Sequence, residues 1–341
     1  MAGLLAGLMV SAPPPLAAET PPEVWSQAQN GDTRAQLRLG YHYLQETHAD
    51  HDPAQARYWF EKAMEGGSAE AAAELGVLLM DMQGDARDFE IALQALAMGA
   101  DAGVPKAQFR LGTIMANGFG IATPDAKRAR SMFQLAAAQG YPPAQAALGV
   151  YMFEGVGGEK SPEKAEKLFR KAATSGNALG QYHLAVLYLT DFYGQPDPGQ
   201  AMIWLNRAAK QDLPQAKMAL GQMHLKGGLV PKSEEKAVDL MTEAAQTGLS
   251  EAQFQLGVWR ARGIGGAASE TVAVAWYARA AEQGHPDAQY MLGNHLATGR
   301  GTEKDLEAGI FWLEAAERSG HPLARQRIET YLEQDQTPKQ E

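Results

Sequence analysis

Cysteine is absent from this sequence, which removes disulfides, thiol nucleophiles, cysteine-held zinc and a lipidated amino-terminal cysteine from consideration. The compartment stays open, because exported and cytosolic proteins alike lack cysteine. Basic residues are in deficit: 30 Lys and Arg stand against 40 Asp and Glu, a formal charge of −10 and the wrong sign for neutralising phosphates. No nucleic-acid partner is expected, whereas a basic protein or a cation would be steered toward such a chain. Long hydrophobic runs are missing as well. The apolar stretch at residues 1–10 falls far short of the roughly 20 residues a bilayer-spanning helix needs, so no transmembrane segment is expected. A Walker loop, a nucleophile elbow and a zincin helix are all lacking, and no cofactor is implied.

What is present begins with a leader. The apolar run, Pro13-Pro14-Pro15 and then Leu16-Ala17-Ala18 read as the hydrophobic region and small-residue cleavage site of a secretory signal over 1–18, although the usual basic start is missing. That reading places the protein in the periplasm or otherwise outside the cytosol; a disordered Ala/Pro leader would leave it cytoplasmic.

Alanine is abundant, strand signals are sparse, and the 36 glycines and 18 prolines punctuate helical segments. The punctuation is periodic. Units open at Gly31, Gly67, Gly103, Gly140, Gly176, Asp212, Gly248 and Gly284, with Gly320 beyond, spaced by 36 residues except for 37 in the third unit. Nine residues after each opener comes a second marker preceded by leucine: Gly40, Gly76, Gly112, Gly149, Ala185, Gly221, Gly257 and Gly293. Each unit spells two helices. The first carries Ala-Gln-Phe-x-Leu-Gly, as at 107–112 and 252–257, with the marker glycine set to admit a close neighbour. Gly-x-Gly turns such as Gly155-Val156-Gly157, Gly263-Ile264-Gly265 and Gly299-Arg300-Gly301 follow, so they are repeat punctuation and not phosphate cradles. Asp52-Pro53, Thr123-Pro124 and Ser161-Pro162 supply an N-cap and a proline at the first helical position. In the second helix a bulky residue, Trp204 or Trp276, is wedged among Ala201, Ala208 and Ala209, or Ala273, Ala280 and Ala281.

This pattern resembles the Sel-one-like repeat of the tetratricopeptide-repeat superfamily. The resemblance implies an all-α, right-handed α/α solenoid over 24–333, made of eight helix pairs, with a capping helix at 320–332 and a disordered tail at 334–341. It also implies protein–protein contact, with the first helices lining the inner side. Helical geometry puts positions −3, +1 and +4 from the marker glycine on that side, giving Leu37, Tyr41, Leu44, Phe109, Phe153, Tyr182, Phe254 and Tyr290 among others. Two readings of this apolar stripe stay open: a groove for a partner, or a seam between adjacent first helices. Alanine at Tyr41, Phe153 and Tyr182 is expected to weaken a partner more than changes at outer lysines.

Two units break the pattern. The first has Glu46 and His48 where glycines belong, in a run with Ala49, Asp50, His51 and Asp52 that suits a solvated loop better than a metal site. The fifth has Asp191 and Tyr193, with Phe192 between them; these rings either anchor a partner or tuck against a neighbouring repeat. His285 and His321 share one repeat position, which marks them as structural. The candidate partner-binding residues are therefore Tyr41, Leu44, His48, Phe109, Phe153, Tyr182, Phe192, Tyr193, Phe254 and Tyr290. The expected activity is non-enzymatic: an envelope adaptor, or an inhibitor of a partner such as a secreted effector or an envelope enzyme. Members resembling this architecture act as immunity proteins against secreted effectors, and an acidic solenoid would suit a basic active site such as a phospholipase's. A periplasmic scaffold for cell-wall or polysaccharide enzymes, touching glycan through Trp and Tyr, and a cytosolic signalling adaptor are the alternatives.

Overall fold

A computed structural model describes residues 22–45, 51–82, 85–118, 123–228 and 230–336, and all its regular elements are helical. The described residues divide into two compact units, one reaching Leu184 and one starting at Ala185. The first holds α1 (Pro22–Gln29), α2 (Thr33–Leu44), α3 (Pro53–Glu65), α4 (Ala69–Asp81), α5 (Ala86–Asp101), α6 (Pro105–Asn117), α7 (Ala126–Ala138), α8 (Pro142–Glu154) and α9 (Pro162–Thr174). The division falls within α10 (Ala178–Leu189). The second unit continues through a 3₁₀ turn (Asp191–Tyr193), α11 (Pro198–Ala209), α12 (Pro214–Lys226), α13 (Glu234–Gln246), α14 (Ser250–Arg262), α15 (Glu270–Glu282), α16 (Pro286–Thr298), α17 (Leu306–Arg318) and α18 (Ala324–Gln336). Within each unit successive helices pack as pairs, α2 with α3 through α8 with α9 in the first and α12 with α13 through α16 with α17 in the second, the helix-pair solenoid expected from the repeat.

The openers work as the period suggests. Gly31, Gly67, Gly103, Gly140, Gly176, Gly248, Gly284 and Gly320 all have φ between 82° and 95°. After all of these but Gly248 the next amide turns back onto the preceding helix, as in Val104 N–H to the Gly99 carbonyl at 2.8 Å and His321 N–H to Ala316 at 2.8 Å. This is a Schellman-type stop, whose left-handed residue favours glycine. Asp212 holds the same place at φ 60°, among the described residues the one non-glycine with positive φ, and its carboxylate lies 2.7 Å from Lys217 Nζ. Because Lys217 also reaches Glu243 at 2.9 Å and Asp212 is largely exposed, that ion pair adds little. Asp212→Gly is expected to raise stability by about 0.5–1 kcal/mol, read as a higher thermal midpoint.

The marker glycines set the packing distance inside each pair. A Cβ on Gly40 would sit 2.2 Å from the Phe60 ring, on Gly112 2.8 Å from Phe133, on Gly149 2.5 Å from Phe169 and on Gly257 2.6 Å from Tyr277. The wedge is therefore not Trp204 or Trp276 but the residue after it. Leu205 and Tyr277 are almost fully buried, while both tryptophans are half-buried with Arg207 and Arg279 over their rings at 4.7 and 4.5 Å. One residue is a rotation of about 100° on a helix, enough to move a ring from the seam to its rim.

Helix starts divide by role. Second helices begin on a polar cap: Asp52, Asp85, Asp125, Asp197, Ser233, Ser269 and Asp305 each accept a backbone N–H, whereas Ser161 before α9 makes no side-chain cap bond and leaves the start to Pro162. In the third unit the cap is Asp125, not Thr123, because α7 starts two residues after Pro124. Several first helices instead begin behind an uncapped Val104, Tyr141 or Leu213 with proline next, leaving the cap residue free to pack. The ends are closed at both sides. At the start, α1 buries Val24 and Ala28, with Trp25 edge-on to Trp59 at 5.5 Å. At the other end Tyr331 of α18 donates to Asn294 Oδ1 at 3.0 Å, and α18 runs to Gln336, past the tail boundary read from the sequence. The leader at 1–18 lies outside the described residues, as does the tail from 337.

Candidate protein-binding surface

Most of the sequence-derived stripe turns out to join successive repeats. Phe109 is buried, with Phe133 of its own unit and Tyr141 of the next both 5.7 Å away. Phe254 stacks on His285 at 4.8 Å and Tyr290 on His321 at 4.1 Å. The −3 ring of one repeat therefore meets the residue after the opener of the next. His285 and His321 complete the joint through their two ring nitrogens: Nδ1 lies 3.4 and 3.3 Å from the amides of Ala288 and Leu323, and Nε2 lies 3.0 and 3.4 Å from Glu251 and Asp287. With Nδ1 accepting from these amides, the Nε2 edge of each ring is left to face the carboxylate. Burial lowers the His321 pKa against the opposing pull of Asp287, and the His285 bond lowers that of Glu251. Tyr182 is half-buried among Ala146, Ala172 and Leu179, and its neighbour His183, stacked on Phe169 at 4.9 Å, is held by burial at about 4 and so stays neutral.

Tyr41 belongs to a polar link across three repeats. Its hydroxyl donates to Glu74 Oε1 at 2.8 Å, and Lys106 Nζ reaches both oxygens of that buried carboxylate at 2.7 Å. Burial and the Glu74 charge push the Tyr41 phenol well above its usual range, so it remains a donor. Leu44 is half-buried at the same cluster, and Phe153 is half-buried with Lys160 Nζ 5.8 Å from its ring centroid. His48 lies outside the described residues; nearby, Asp52 spends its carboxylate on the amides of Ala54 and Gln55.

A glutamine column escaped the sequence reading. Gln36, Gln108, Gln145, Gln181, Gln253 and Gln289 are buried, and each Nε2 donates to the carbonyl eight residues earlier, near the end of the preceding helix. The recurring Ala-Gln pair carried the signal: a polar residue repeating at a core position has a fixed partner.

The turn of repeat five departs from those of its neighbours. Where other units turn on left-handed glycines such as Gly155, Gly157, Gly263, Gly265, Gly299 and Gly301, this one forms a 3₁₀ turn over Asp191–Tyr193 capped by Thr190. The Tyr193 ring lies 4.9 Å from Tyr188 and 5.0 Å from Phe192, which meets it edge-on. Even so, Tyr193 remains 41% exposed and Leu189 37%. The two rings foreseen for this turn are thus brought together, apart from the −3 column.

The Sel1 repeat family matches at residues 33–68, 105–141, 142–177, 178–213, 214–249, 250–285 and 286–321. Between these matches 69–104 is unmatched; it forms the helix pair α4 and α5, with Leu96 under Gly76 as Leu313 lies under Gly293 in the last matched repeat. Among solved structures, a protective antigen of uropathogenic Escherichia coli with an SLR fold is 30% identical, with a TM-score of 0.54 over 92% of this chain and 67% of its own. A Sel1 repeat protein from Oxalobacter formigenes is 28% identical, with a TM-score of 0.57 over 91% and 89%. No protein of curated function matches the chain. The repeats, the packing glycines and these likenesses agree: the chain belongs to the Sel1 repeat family.

Proposed function

We propose that this solenoid is a non-enzymatic scaffold that grips a partner protein, acting in the bacterial envelope as an adaptor or as an inhibitor of that partner. Sel1 repeat solenoids are protein-interaction scaffolds. The observation that carries the reading here is the repeat-five turn, in which Asp191 and Tyr193 replace left-handed glycines such as Gly155 and Gly157, leaving Leu189 and Tyr193 exposed and Phe192 half-buried against Tyr193. An exposed aromatic side chain backed by a second ring on a fixed turn, as Tyr193 is by Phe192, is a usual anchor of protein interfaces. Envelope location rests on the apolar leader and its small-residue site at 16–18. Inhibition is favoured by the charge of −10, which suits blocking a basic active site, as an immunity protein would.

Affinity capture from an envelope extract of the native host tests this. The wild type is expected to retain one protein that the Phe192→Ala/Tyr193→Ala variant loses and the Tyr58→Ala variant keeps, Tyr58 being an equally exposed ring on α3. Retention of glycan alone, or equal capture by all three, would sink the proposal. Alanine at Tyr41 or Tyr182 is a poor probe, because both are engaged in packing between repeats.

A further inference from the structure

The second helices of repeats three and four differ in charge from the rest. In α7 there are three cations and no anion, and in α9 four cations against two anions. No other second helix exceeds a net charge of +1; α13 stands at −3 and α5 and α17 at −2 each. In a chain of net −10 this is a local reversal. The buried sides of the two helices are set by Ala129, Phe133 and Ala136, and by Ala165, Phe169 and Ala172. Lys127, Arg128, Lys164, Lys167 and Lys171 are exposed, and among them only Arg128 has a carboxylate neighbour, Asp125 at 3.5 Å. Lys164, Lys167 and Lys171 follow an i, i+3, i+7 spacing and share a face; Arg128 and Leu135 are likewise seven apart, and Leu135 is 49% exposed. The two helices are tied together by Arg130, whose guanidinium donates to the carbonyls of Val156 and Glu159 in the turn leading to α9, at 3.2 and 3.1 Å.

We propose that this basic band, Lys127, Arg128, Lys164, Lys167 and Lys171 with Leu135 beside it, docks the protein onto an anionic lipid surface. Exposed lysines on an open helical face lack the desolvated pockets and aromatic anchors on which protein interfaces depend. They suit the diffuse field of a bilayer instead, where each cation adds to the attraction and an exposed leucine enters the headgroup layer. At physiological salt the screening length is about 8 Å, so acidic residues elsewhere on the chain do not cancel the band.

Co-sedimentation of the full chain with phosphatidylglycerol vesicles, against phosphatidylcholine vesicles, tests the proposal. Binding is expected to depend on phosphatidylglycerol, to weaken as salt is raised, and to fall about tenfold or more in the K127Q/K164Q/K167Q/K171Q variant. Removing as many exposed lysines elsewhere, with K210Q/K226Q/K236Q/K304Q, should leave most of it. Both variants keep the 1–10 apolar run, so any lipid binding through it is common to them and shows on neutral vesicles. Equal loss in the two variants, or no phosphatidylglycerol-dependent binding at low salt, overturns the proposal. So does polyglutamate captured through these lysines while vesicles are not. None of these outcomes depends on the repeat-five turn.

Discussion

Gly40→Ala is expected to destabilise the first repeat by about 2–3 kcal/mol, although alanine is the better helix former by about 1 kcal/mol. The added Cβ would lie 2.2 Å from the Phe60 ring, which is fully buried and edge-on to Tyr41 at 5.6 Å, so neither helix can yield without opening the seam. Repeat five shows how the protein itself relieves this contact: its marker is Ala185 and its wedge the smaller Leu205, both fully buried. Adding Phe60→Leu to Gly40→Ala should therefore recover at least about 1 kcal/mol relative to the sum of the single changes. Local opening in stacked repeats makes hydrogen exchange at the amides of α2 and α3 the sensitive readout, supported by the urea midpoint. A neutral or stabilising Gly40→Ala would contradict the close-approach account.

Lys106→Met is expected to cost about 3 kcal/mol, because it leaves the buried Glu74 carboxylate with the Tyr41 hydroxyl in place of a cation. Tyr41→Phe removes one hydrogen bond from a charged acceptor and should cost about 1.5 kcal/mol. Replacing both ions, as Glu74→Leu/Lys106→Met, should restore much of the loss, since no buried charge is then unpaired. The thermal midpoint ranks the three. If Lys106→Met is no worse than Tyr41→Phe, the three-repeat link adds nothing beyond a surface ion pair.

Those two sites also mark what the sequence makes legible. The 36-residue period is plain because steric rules hold it: a left-handed opener excludes most side chains, and a marker under an aromatic ring excludes Cβ. Asp212 and Ala185, the substitutions within these columns, were visible for the same reason. Alanine spacing shows that a bulky residue is enclosed but not which of two neighbours faces inward, so it points to Trp204 and Trp276, one residue short of the buried Leu205 and Tyr277. The link from Tyr41 through Glu74 to Lys106 crosses positions that do not recur, so no periodic signal reports it. The stripe posed a harder problem, since a joint and a groove need the same apolar residues at the same spacing. Ring contacts such as Phe254 with His285 and Tyr290 with His321 assign that column to the joint. Repeat five was marked in the sequence by the loss of its turn glycines, and there the structure adds how far Tyr193 and Leu189 stand open.

The affinity of the captured partner protein, measured by calorimetry against purified wild-type and variant solenoid, tests the central claim most directly. Phe192→Ala/Tyr193→Ala should raise Kd at least about tenfold, a loss of about 1.4 kcal/mol, with helical signal and thermal midpoint preserved and with Tyr58→Ala close to wild type. An unchanged Kd in the turn variant, or an equal loss from Tyr58→Ala, would contradict the claim that repeat five holds the partner.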